Sequence, residues 1–450
     1  MRQVDCDPVA SRYLNAMNSK KSFAQRNARV SLPQRHQVDF LPKAIDEMVP
    51  SDHRCRVVWR FVQSINLEPF YQNIVVSDSQ AGRSAIAPEI LIALWLMATL
   101  DSISSAREIA RRCETDLIYR WICGGVSVNY HSISDFRCVH VDKLNDILTS
   151  SVASLIKQGF VSLEEIGQDG MRVRASAGSS SFRRKPTLEE LHQHAKAHLD
   201  ELDEERRQRE KNQDDDLPPT RTGSEAAAER AAREREARVA RAIQESEKLR
   251  SRKAKDEDKD KVRTSTTDPD ARRMKMGDGG TRPAVNVQFA CDGNARVIVG
   301  VEVTNEGTDG GQLPPMLDQI EDRYGKRPGT ALVDSAYATK ASVKTAESLG
   351  TAVVSTVPRR EQLQRHGKDP HQRQKGDSDE YEAFRHRMAV AEYQELYKKR
   401  PSIAEFPNAD CRNRGLTQLR VRGLSKAKAV ALWHALTFNL LRMVHMGAIA

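Results

Sequence analysis

The spacing of apolar residues changes along the chain, and each change marks a different kind of element. Residues 1–34 are polar and aperiodic, which predicts a loose arm. From 35 to 160 the spacing is helical: Pro88 opens the apolar run EILIALWLMATL, and Ser104 or Ser105 is placed to cap AREIARRC. A further amphipathic helix is predicted from Ser134 through Leu148. We therefore expect a helical N-terminal domain over 35–160.

Residues 187–262 have a different composition, with no Phe, Tyr or Trp and with charged residues or Ala at most positions. The stretches TLEELHQHAKAHLDEL and SEAAAERAAREREARVARAIQESEKLRSRK are typical of helices, and DDDLPPTRTG between them is typical of a turn. Such a segment has too little apolar surface for a core of its own. It predicts a charged helical hairpin that projects from another domain, with a disordered segment as the alternative.

Extended patterns begin after Thr264. The stretches PAVNVQFACD and ARVIVGVEVTN are rich in Val and Ile, and Asp292-Gly293-Asn294 separates them as in a β-hairpin. A helix (QLPPMLDQIEDRYG), a strand (TALVD), a second helix (TKASVKTAESLG) and a second strand (TAVVST) follow, then a charged loop and a helical C-terminal section. With SLEEIGQD as a partner strand, residues 161–446 are predicted to form one α/β domain, a mixed sheet flanked by helices and interrupted by 187–262.

The charge of the chain is concentrated near one end. It has 71 Lys and Arg against 62 Asp and Glu, a formal net charge of +9. The residues from 356 onward hold 18 of the basic and only 10 of the acidic side chains. A basic patch of this kind makes nucleic acid the first candidate partner.

The N-terminal helices also carry interleaved basic residues: Arg107, Arg111, Arg112, Arg120 and Arg137. This pattern favours a helix-turn-helix-like module that binds DNA. A helical dimerisation or support domain with a solvated basic face is the alternative.

Cysteine usage and hydropathy indicate the compartment. The seven cysteines are widely spaced and include no C-x-x-C pair, which argues against a disulfide framework and for a reducing environment. The apolar C-terminal stretch from 427 to 450 is interrupted by His434, Asn439, Arg442 and His445, as in a buried helix rather than a membrane span. No secretion signal is recognisable. We expect a cytoplasmic protein with no membrane partner.

Common catalytic motifs are absent: the chain has no phosphate-binding P-loop, no H-E-x-x-H and no G-x-S-x-G. His192, His194 and His198 lie in the most solvated stretch and are expected to form a surface face. Two acids remain, Asp169 and Asp334, each expected at the end of a predicted strand, where they could share divalent cations. Asp169 as a turn residue and Asp334 as a helix N-cap are the alternatives.

Five ordered stretches give the chain a resemblance to a known family. They are QDGMRVRASA, TTDPDARRMKMGDGGTRPAVNVQFACD, VGVEVTNEGTDGGQLPPMLDQIEDRYG, ALVDSAYAT and a late segment with Tyr397, Arg400, Glu405 and RNRGL. In this order they resemble the DDE transposases of bacterial insertion sequences. The N-terminal stretches through EILIALWLMATL and HSISDFR are similar to the helical domain at the front of such enzymes. The resemblance implies a ribonuclease H-like catalytic core.

It also implies the roles of individual residues. Asp169, Asp334 and Glu405 would be the three catalytic acids and the ligands of Mg²⁺ or Mn²⁺. The late motif is Tyr397-x2-Arg400-x4-Glu405-x6-Arg412, whose four side chains would face one groove on a straight helix. Pro407 disturbs this expectation, because it removes a backbone donor two residues after Glu405. Either the helix is kinked there or it begins later.

Basic and aromatic side chains are expected around these acids as DNA contacts. The candidates are Arg172, Arg174, Tyr397, Arg400, Arg412 and Arg414. The resemblance implies double-stranded DNA partners, namely the transposon ends and the target, and a homo-oligomer on DNA at the nucleoid. Two other hypotheses remain: a catalytically silent DNA-binding protein derived from a transposase, and an assembly scaffold built on the charged hairpin.

Overall fold

A computed structural model of the chain describes residues 42–72, 74, 85–211 and 223–449. Contacts divide the chain into two compact units, Met1–Glu47 and Met48–Ala450. In the described part of the first unit, the Glu47 N–H donates to the Ala44 carbonyl at 3.0 Å. The predicted arm, 1–34, lies outside the described residues. The domain boundary at 160 remains a prediction.

The second unit alternates helical and extended regions. Its first helices are α1 (Arg54–Ser64), α2 (Glu68–Tyr71), α3 (Pro88–Leu100), α4 (Ala106–Thr115), α5 (Leu117–Cys123), α6 (Tyr130–Val139) and α7 (Val141–Lys157). Next come β1 (Glu165–Arg174), a 3₁₀ turn (Ser179–Ser181), β2 (Phe182–Arg183), α8 (Lys185–Lys211), α9 (Gly223–Ser251), α10 (Asp256–Asp260) and β3 (Thr264–Ser265). The rest are β4 (Arg272–Lys275), β5 (Thr281–Asp292), β6 (Ile298–Thr304), α11 (Leu313–Tyr324), β7 (Thr330–Leu332), α12 (Lys340–Ser348), β8 (Ala352–Val354), α13 (Arg360–Arg365), α14 (Asp379–Arg387), α15 (Ala391–Tyr397), a π-helical turn (Pro401–Glu405), α16 (Phe406–Asn413) and α17 (Leu424–His445).

The N-terminal helices follow the predicted pattern with one correction. The Ser105 hydroxyl accepts from the Glu108 N–H at 3.4 Å, which caps α4 as expected. The single helix predicted from Ser134 is wrong, because α6 begins at Tyr130 and the chain breaks between α6 and α7 at His140. The break rotates the two apolar faces apart, so that Val139 is 69 % exposed.

Two apolar helices, α3 and α17, form the centre of the core. Every α3 residue from Ile90 to Leu100 is buried, so α3 needs apolar neighbours all round. Two indole groups on these helices donate to α6: the Trp95 N–H to the Ile133 carbonyl at 3.0 Å and the Trp433 N–H to the Arg137 carbonyl at 3.1 Å. Among the described residues, no helix has the length and apolar content needed to cross a membrane.

The sheet has the strand order β6-β5-β1-β7-β8, with β4 beside the start of β5. Strand β5 runs antiparallel to β1 and β6, whereas β7 runs parallel to β1 and β8. Helices α11 and α12 follow β6 and β7 and make the crossovers that parallel strands require. This confirms the predicted ribonuclease H-like mixed sheet flanked by helices.

The charged insertion leaves the sheet after β1 and returns before β5. The two predicted helices are present as α8 and α9; the predicted turn, 214–223, lies outside the described residues except for Gly223, which begins α9. The helices run side by side in opposite directions, since Lys185 contacts Glu247 at 3.0 Å and His192 contacts Glu236 at 2.7 Å.

The base of the hairpin is docked on the core rather than only projecting from it. Both oxygens of the Asp270 carboxylate accept from Arg241 of α9 at 2.9 Å, and one of them also accepts from the Leu424 N–H at the start of α17. A second pair joins Glu245 of α9 to Arg272 of β4 at 2.6 Å. These two salt bridges connect the insertion to the sheet and, through the buried Asp270, to the start of α17.

We predict that Arg241 and Asp270 are energetically coupled. The Asp270 side chain is only 5 % exposed, so removing Arg241 leaves a buried charge without its main partner. Arg241→Ala should lower the free energy of unfolding by about 1–3 kcal/mol. A double-mutant cycle in denaturant measures the coupling. The control pair, Arg238 and Glu234 at 3.5 Å on the exposed hairpin surface, should give at most about 0.5 kcal/mol. Equal coupling in both pairs would contradict the docking.

A second prediction concerns acid stability. Burial lowers the pKa of His434 in α17 to about 3, and the positive charge of Arg414 adds to this effect. Between this value and the ordinary pKa of 6.5, the unfolded chain binds a proton that the folded chain does not. Stability is therefore lost as the pH falls below 6.5, by about 1.4 kcal/mol per pH unit. Denaturant unfolding at pH 7, 6 and 5 measures how steeply the free energy of unfolding falls with pH. This fall should be shallower for His434→Gln than for the wild type, and an equal fall in both proteins would refute the assignment.

Candidate active site

Asp169 lies in the middle of β1, opposite Phe289 of β5. The expectation that it ends the strand is wrong, because β1 continues to Arg174 against the long strand β5. The turn explanation for Asp169-Gly170 is wrong for the same reason. Gly170 is required by space instead: a Cβ there would lie 2.3 Å from the Gln288 amide nitrogen and 2.5 Å from an Asp309 oxygen.

Asp334 was expected to end its strand; it lies two residues beyond β7, which ends at Leu332. Strand β7 pairs in parallel with β1 up to Gly167 opposite Leu332, and two more residues in this register bring Asp169 level with Asp334. One oxygen of Asp334 accepts from the Ala336 N–H at 2.8 Å. The N-cap explanation is wrong, since Thr339 caps the following helix. Asp169 therefore lies on β1, and Asp334 lies just beyond the end of the neighbouring strand β7, close enough for the two charges to interact.

Glu405 lies at the end of the π-helical turn, between α15 and α16. The expectation of one straight helix is wrong. Pro401 begins the turn, and the Phe406 N–H donates five residues back, to the Pro401 carbonyl. Pro407 is accommodated in the first turn of α16, where its missing N–H needs no partner.

The π-helical turn decides which side chains meet. In an α-helix, residues five apart point about 140° away from each other at 3.6 residues per turn. In the wider π-helical turn they come onto one side. The Arg400 guanidinium consequently lies 2.7 Å from Glu405. The turn also lies directly on β1, because Gly167 has no side chain: a Cβ there would lie 2.7 Å from Ile403.

Arg400 connects two of the three acids. One terminal nitrogen donates to Glu405 at 2.7 Å, and the other donates to Asp169 Oδ1 at 3.3 Å. The second oxygen of Asp169 accepts from the Asn408 amide at 3.0 Å. Arg400 is only 9 % exposed and Asn408 only 2 %. Both oxygens of Asp169 are therefore held by one short segment of chain.

Sequence reasoning missed Asn408. The only signal that could have found it is its spacing, three residues after Glu405, which places the two side chains on one side of a helix. Its side-chain oxygen is buried and has no hydrogen-bond partner among the described residues. A buried acceptor of this kind beside an acid marks Asn408 as part of the site.

Burial and charge raise the proton affinity of Asp169. Burial raises the pKa of its carboxyl to about 6, and the negative charge of Asp334 adds to the rise. Arg400 and the hydrogen bond from Asn408 act in the opposite direction. Two acids and a buried cation therefore interact within one site, an arrangement typical of functional clusters.

Two of the other predicted DNA contacts, Arg172 and Arg414, are paired with carboxylates of the chain itself. Arg172 alternates with Asp169 along β1, so it lies on the opposite face of the sheet, where it contacts Asp309 at 3.3 Å. Arg414 is held by Asp410 at 2.8 Å and by the Leu100 carbonyl at 3.4 Å.

The remaining candidates are more accessible. Arg174 and Arg412 are exposed, and Tyr397 is half-buried beside Arg400. The fold therefore joins Asp169 and Glu405 through Arg400, with Asp334 just beyond the neighbouring strand β7. It directs the side chains of Arg172 and Arg414 toward other partners.

The side chains around Asp169 suit a hard divalent cation in kind. Carboxylate oxygens from Asp169, Asp334 and Glu405 and the unpaired oxygen of Asn408 are ligand types that Mg²⁺ and Mn²⁺ prefer. Within the described ranges, no three His, Cys, Asp or Glu side chains are grouped closely enough to hold a metal ion. The Arg400 guanidinium bridges Asp169 and Glu405.

Comparison with known proteins gives two family matches. Residues 43–138 match the model described as Transposase domain (DUF772), and residues 244–440 match the model described as Transposase DDE domain. The second match includes Asp334 and Glu405, whereas Asp169 precedes it. No curated protein and no solved structure matched the chain significantly. The first match covers most of the N-terminal helices, and the second covers strands β4 to β8 of the sheet. The chain therefore belongs to the DDE transposases of insertion elements.

Proposed function

We propose that this transposase binds the terminal inverted repeats of its element, cuts the DNA strands there and joins them to target DNA. The observation that supports this most is the placement of Asp169 on β1 and of Asp334 just beyond the parallel strand β7, with the segment carrying Glu405 packed on β1. Carboxylates brought together from distant parts of a chain are typical of sites for phosphodiester chemistry.

In this proposal Asp169, Asp334 and Glu405 hold Mg²⁺ or Mn²⁺, with Asn408 beside them. When bound, such ions stabilise negative charge on the attacking and leaving oxygens of a phosphodiester. The surrounding residues would hold the acids in place and exclude water from them. Asp169 is four-fifths buried, and Gly167 lets the π-helical turn pack closely on β1. No protein nucleophile is required, since water and then the released 3′ hydroxyl attack the phosphorus.

DNA would approach through exposed basic side chains. Arg174 at the end of β1 and Arg412 in the last turn of α16 are the exposed members of the predicted set. Arg420 and Arg422, in the segment after α16, are exposed as well. Contacts of this kind hold the phosphate backbone without reading its sequence.

Recognition and assembly are assigned by region. The helical domain over 35–160 would recognise the ends, because Arg107, Arg111 and Arg120 of α4 and α5 are exposed there. The α/β domain over 161–446 would supply the chemistry. Since two ends must be joined in one event, the active form would be a homo-oligomer on DNA in the cytoplasm, at the nucleoid.

A second candidate function is a silent DNA-binding protein derived from a transposase. The bridge that Arg400 makes between Asp169 and Glu405 favours it, because both carboxylates are then paired with a side chain. Binding of end sequences without metal-dependent nicking would identify this function.

We predict that Asp169→Asn and Asp334→Asn abolish cleavage but not binding. Each substitution removes a negative charge from the acidic site and leaves the exposed basic residues unchanged. Nicking of a labelled end fragment in Mg²⁺ should fall at least about 100-fold, while its gel-shift affinity stays within about threefold. The control is Asp322→Asn on the exposed side of α11, which should nick normally. Normal nicking by either site variant would refute the assignment.

We also predict that Arg412 and Arg414 differ in role, although both were expected to bind DNA. Arg412→Ala should reduce the slope of the logarithm of the DNA-binding constant against the logarithm of the salt concentration by about one, because an exposed phosphate contact is lost. Arg414→Ala should instead lower the free energy of unfolding by about 1–3 kcal/mol, because Asp410 loses its partner.

Fluorescence anisotropy of a labelled duplex over a KCl series measures the first effect, and denaturant unfolding measures the second. If Arg414→Ala changed the salt slope and Arg412→Ala did not, the division of roles would be wrong.

A further inference from the structure

The Arg400 guanidinium occupies the position in the acidic site that a cation would take. It bridges Asp169 and Glu405, and it lies close enough to Asp334 for the charges to interact. Three carboxylates and one guanidinium leave the cluster with a net negative charge of two. The site in this form is therefore already partly neutralised from within.

The hydrogen bonding of Arg400 is incomplete. A guanidinium has five N–H donors in a fixed plane. The Nε–H of Arg400 is buried and has no partner among the described residues. Burying a donor without a partner carries a free-energy cost, so the bridge is less stable than a fully satisfied ion pair. The same acids can therefore exchange this guanidinium for a better counter-ion.

Asn408 adds to the same effect. Its amide nitrogen holds the second oxygen of Asp169, and its own side-chain oxygen faces no donor. Both carboxylate oxygens of Asp169 are thus engaged by donors from the chain. A divalent cation that uses these oxygens must displace at least one of the two donors.

We infer that Arg400 is the internal counter-ion of the acidic site and competes with divalent cations for Asp169 and Glu405 in the DNA-free chain. The inference rests on the proposed function for the identity of the acids, and it adds a regulatory property that the proposal does not contain. Metal binding and the Arg400 bridge are then linked reciprocally: each weakens the other by the same factor. The site stays weakly metallated until Arg400 moves away.

The competing explanation is that Arg400 positions the acids for the metal. The two explanations predict opposite effects of removing Arg400 on the affinity of the site for a cation. Removal of a competitor strengthens cation binding, because a positive charge beside the ligands is lost. Removal of a positioning group weakens cation binding, because the carboxylates lose the contacts that orient them.

The experiment is a Mn²⁺ titration of the full-length DNA-free chain, followed by the electron paramagnetic resonance signal of free Mn²⁺. Arg400→Gln should bind Mn²⁺ at least about tenfold more tightly than the wild type. Arg400→Lys keeps the positive charge and should remain within about threefold of the wild type. The control, Lys399→Gln, removes an exposed positive charge next to Arg400 in the chain and should have little effect. Unchanged or weaker binding by Arg400→Gln would overturn the inference.

A second measurement keeps the test independent of a folding defect. Arginine Nε–H groups give resolved signals in nitrogen-15 spectra, and the signal missing from Arg400→Lys identifies Arg400. Saturating Mg²⁺ should move this signal and increase its exchange with water, since the guanidinium leaves its buried position. A signal unaffected by Mg²⁺ would contradict displacement. Neither measurement involves DNA cleavage, so failure of the inference and failure of the proposed function can be distinguished.

Discussion

The close approach of the π-helical turn Pro401–Glu405 to strand β1 is the constraint on which the rest of the site depends. Gly167 makes this approach possible, since any side chain there would overlap Ile403. The contact brings Arg400 and Asn408 onto Asp169 from a segment more than 200 residues away in the chain. Without it, Asp169 would lack both of the donors that compensate its charge.

The same packing explains the electrostatics. Asp169 is buried next to another acid, which disfavours its charge, and it is compensated by Arg400 and Asn408. An arrangement with so many opposing contributions is unfavourable for a purely structural residue. It is expected where charged groups must be available to a substrate or a cation, and where stability is exchanged for function. The docked base of the charged hairpin shows the contrasting case, in which Asp270 is held by Arg241 and by a helix N-terminus.

Much of the fold follows from the sequence, and the exceptions have physical causes. Period-2 and helical patterns predict the strands and helices of the sheet, because burial on one face or both imposes those periods. The π-helical turn is not predictable from period, since two prolines and a one-residue change in hydrogen bonding produce it. The acids Asp169 and Asp334 could be named from strand patterns and family resemblance. Asn408 could not, because its role appears only when α16 packs on β1. The partners of Arg172 and Arg414 are likewise tertiary contacts that residue type does not reveal.

The central claim is that Asp169 on β1 and Asp334 just beyond β7 contribute to one cation-binding site. Anomalous diffraction from crystals soaked in Mn²⁺ tests it most directly, because the peak locates the ion without any assay of activity. The account predicts a peak in contact with carboxylate oxygens of both residues, at about 2.0–2.3 Å. A peak elsewhere, with these two carboxylates free of metal at saturating Mn²⁺, would contradict it.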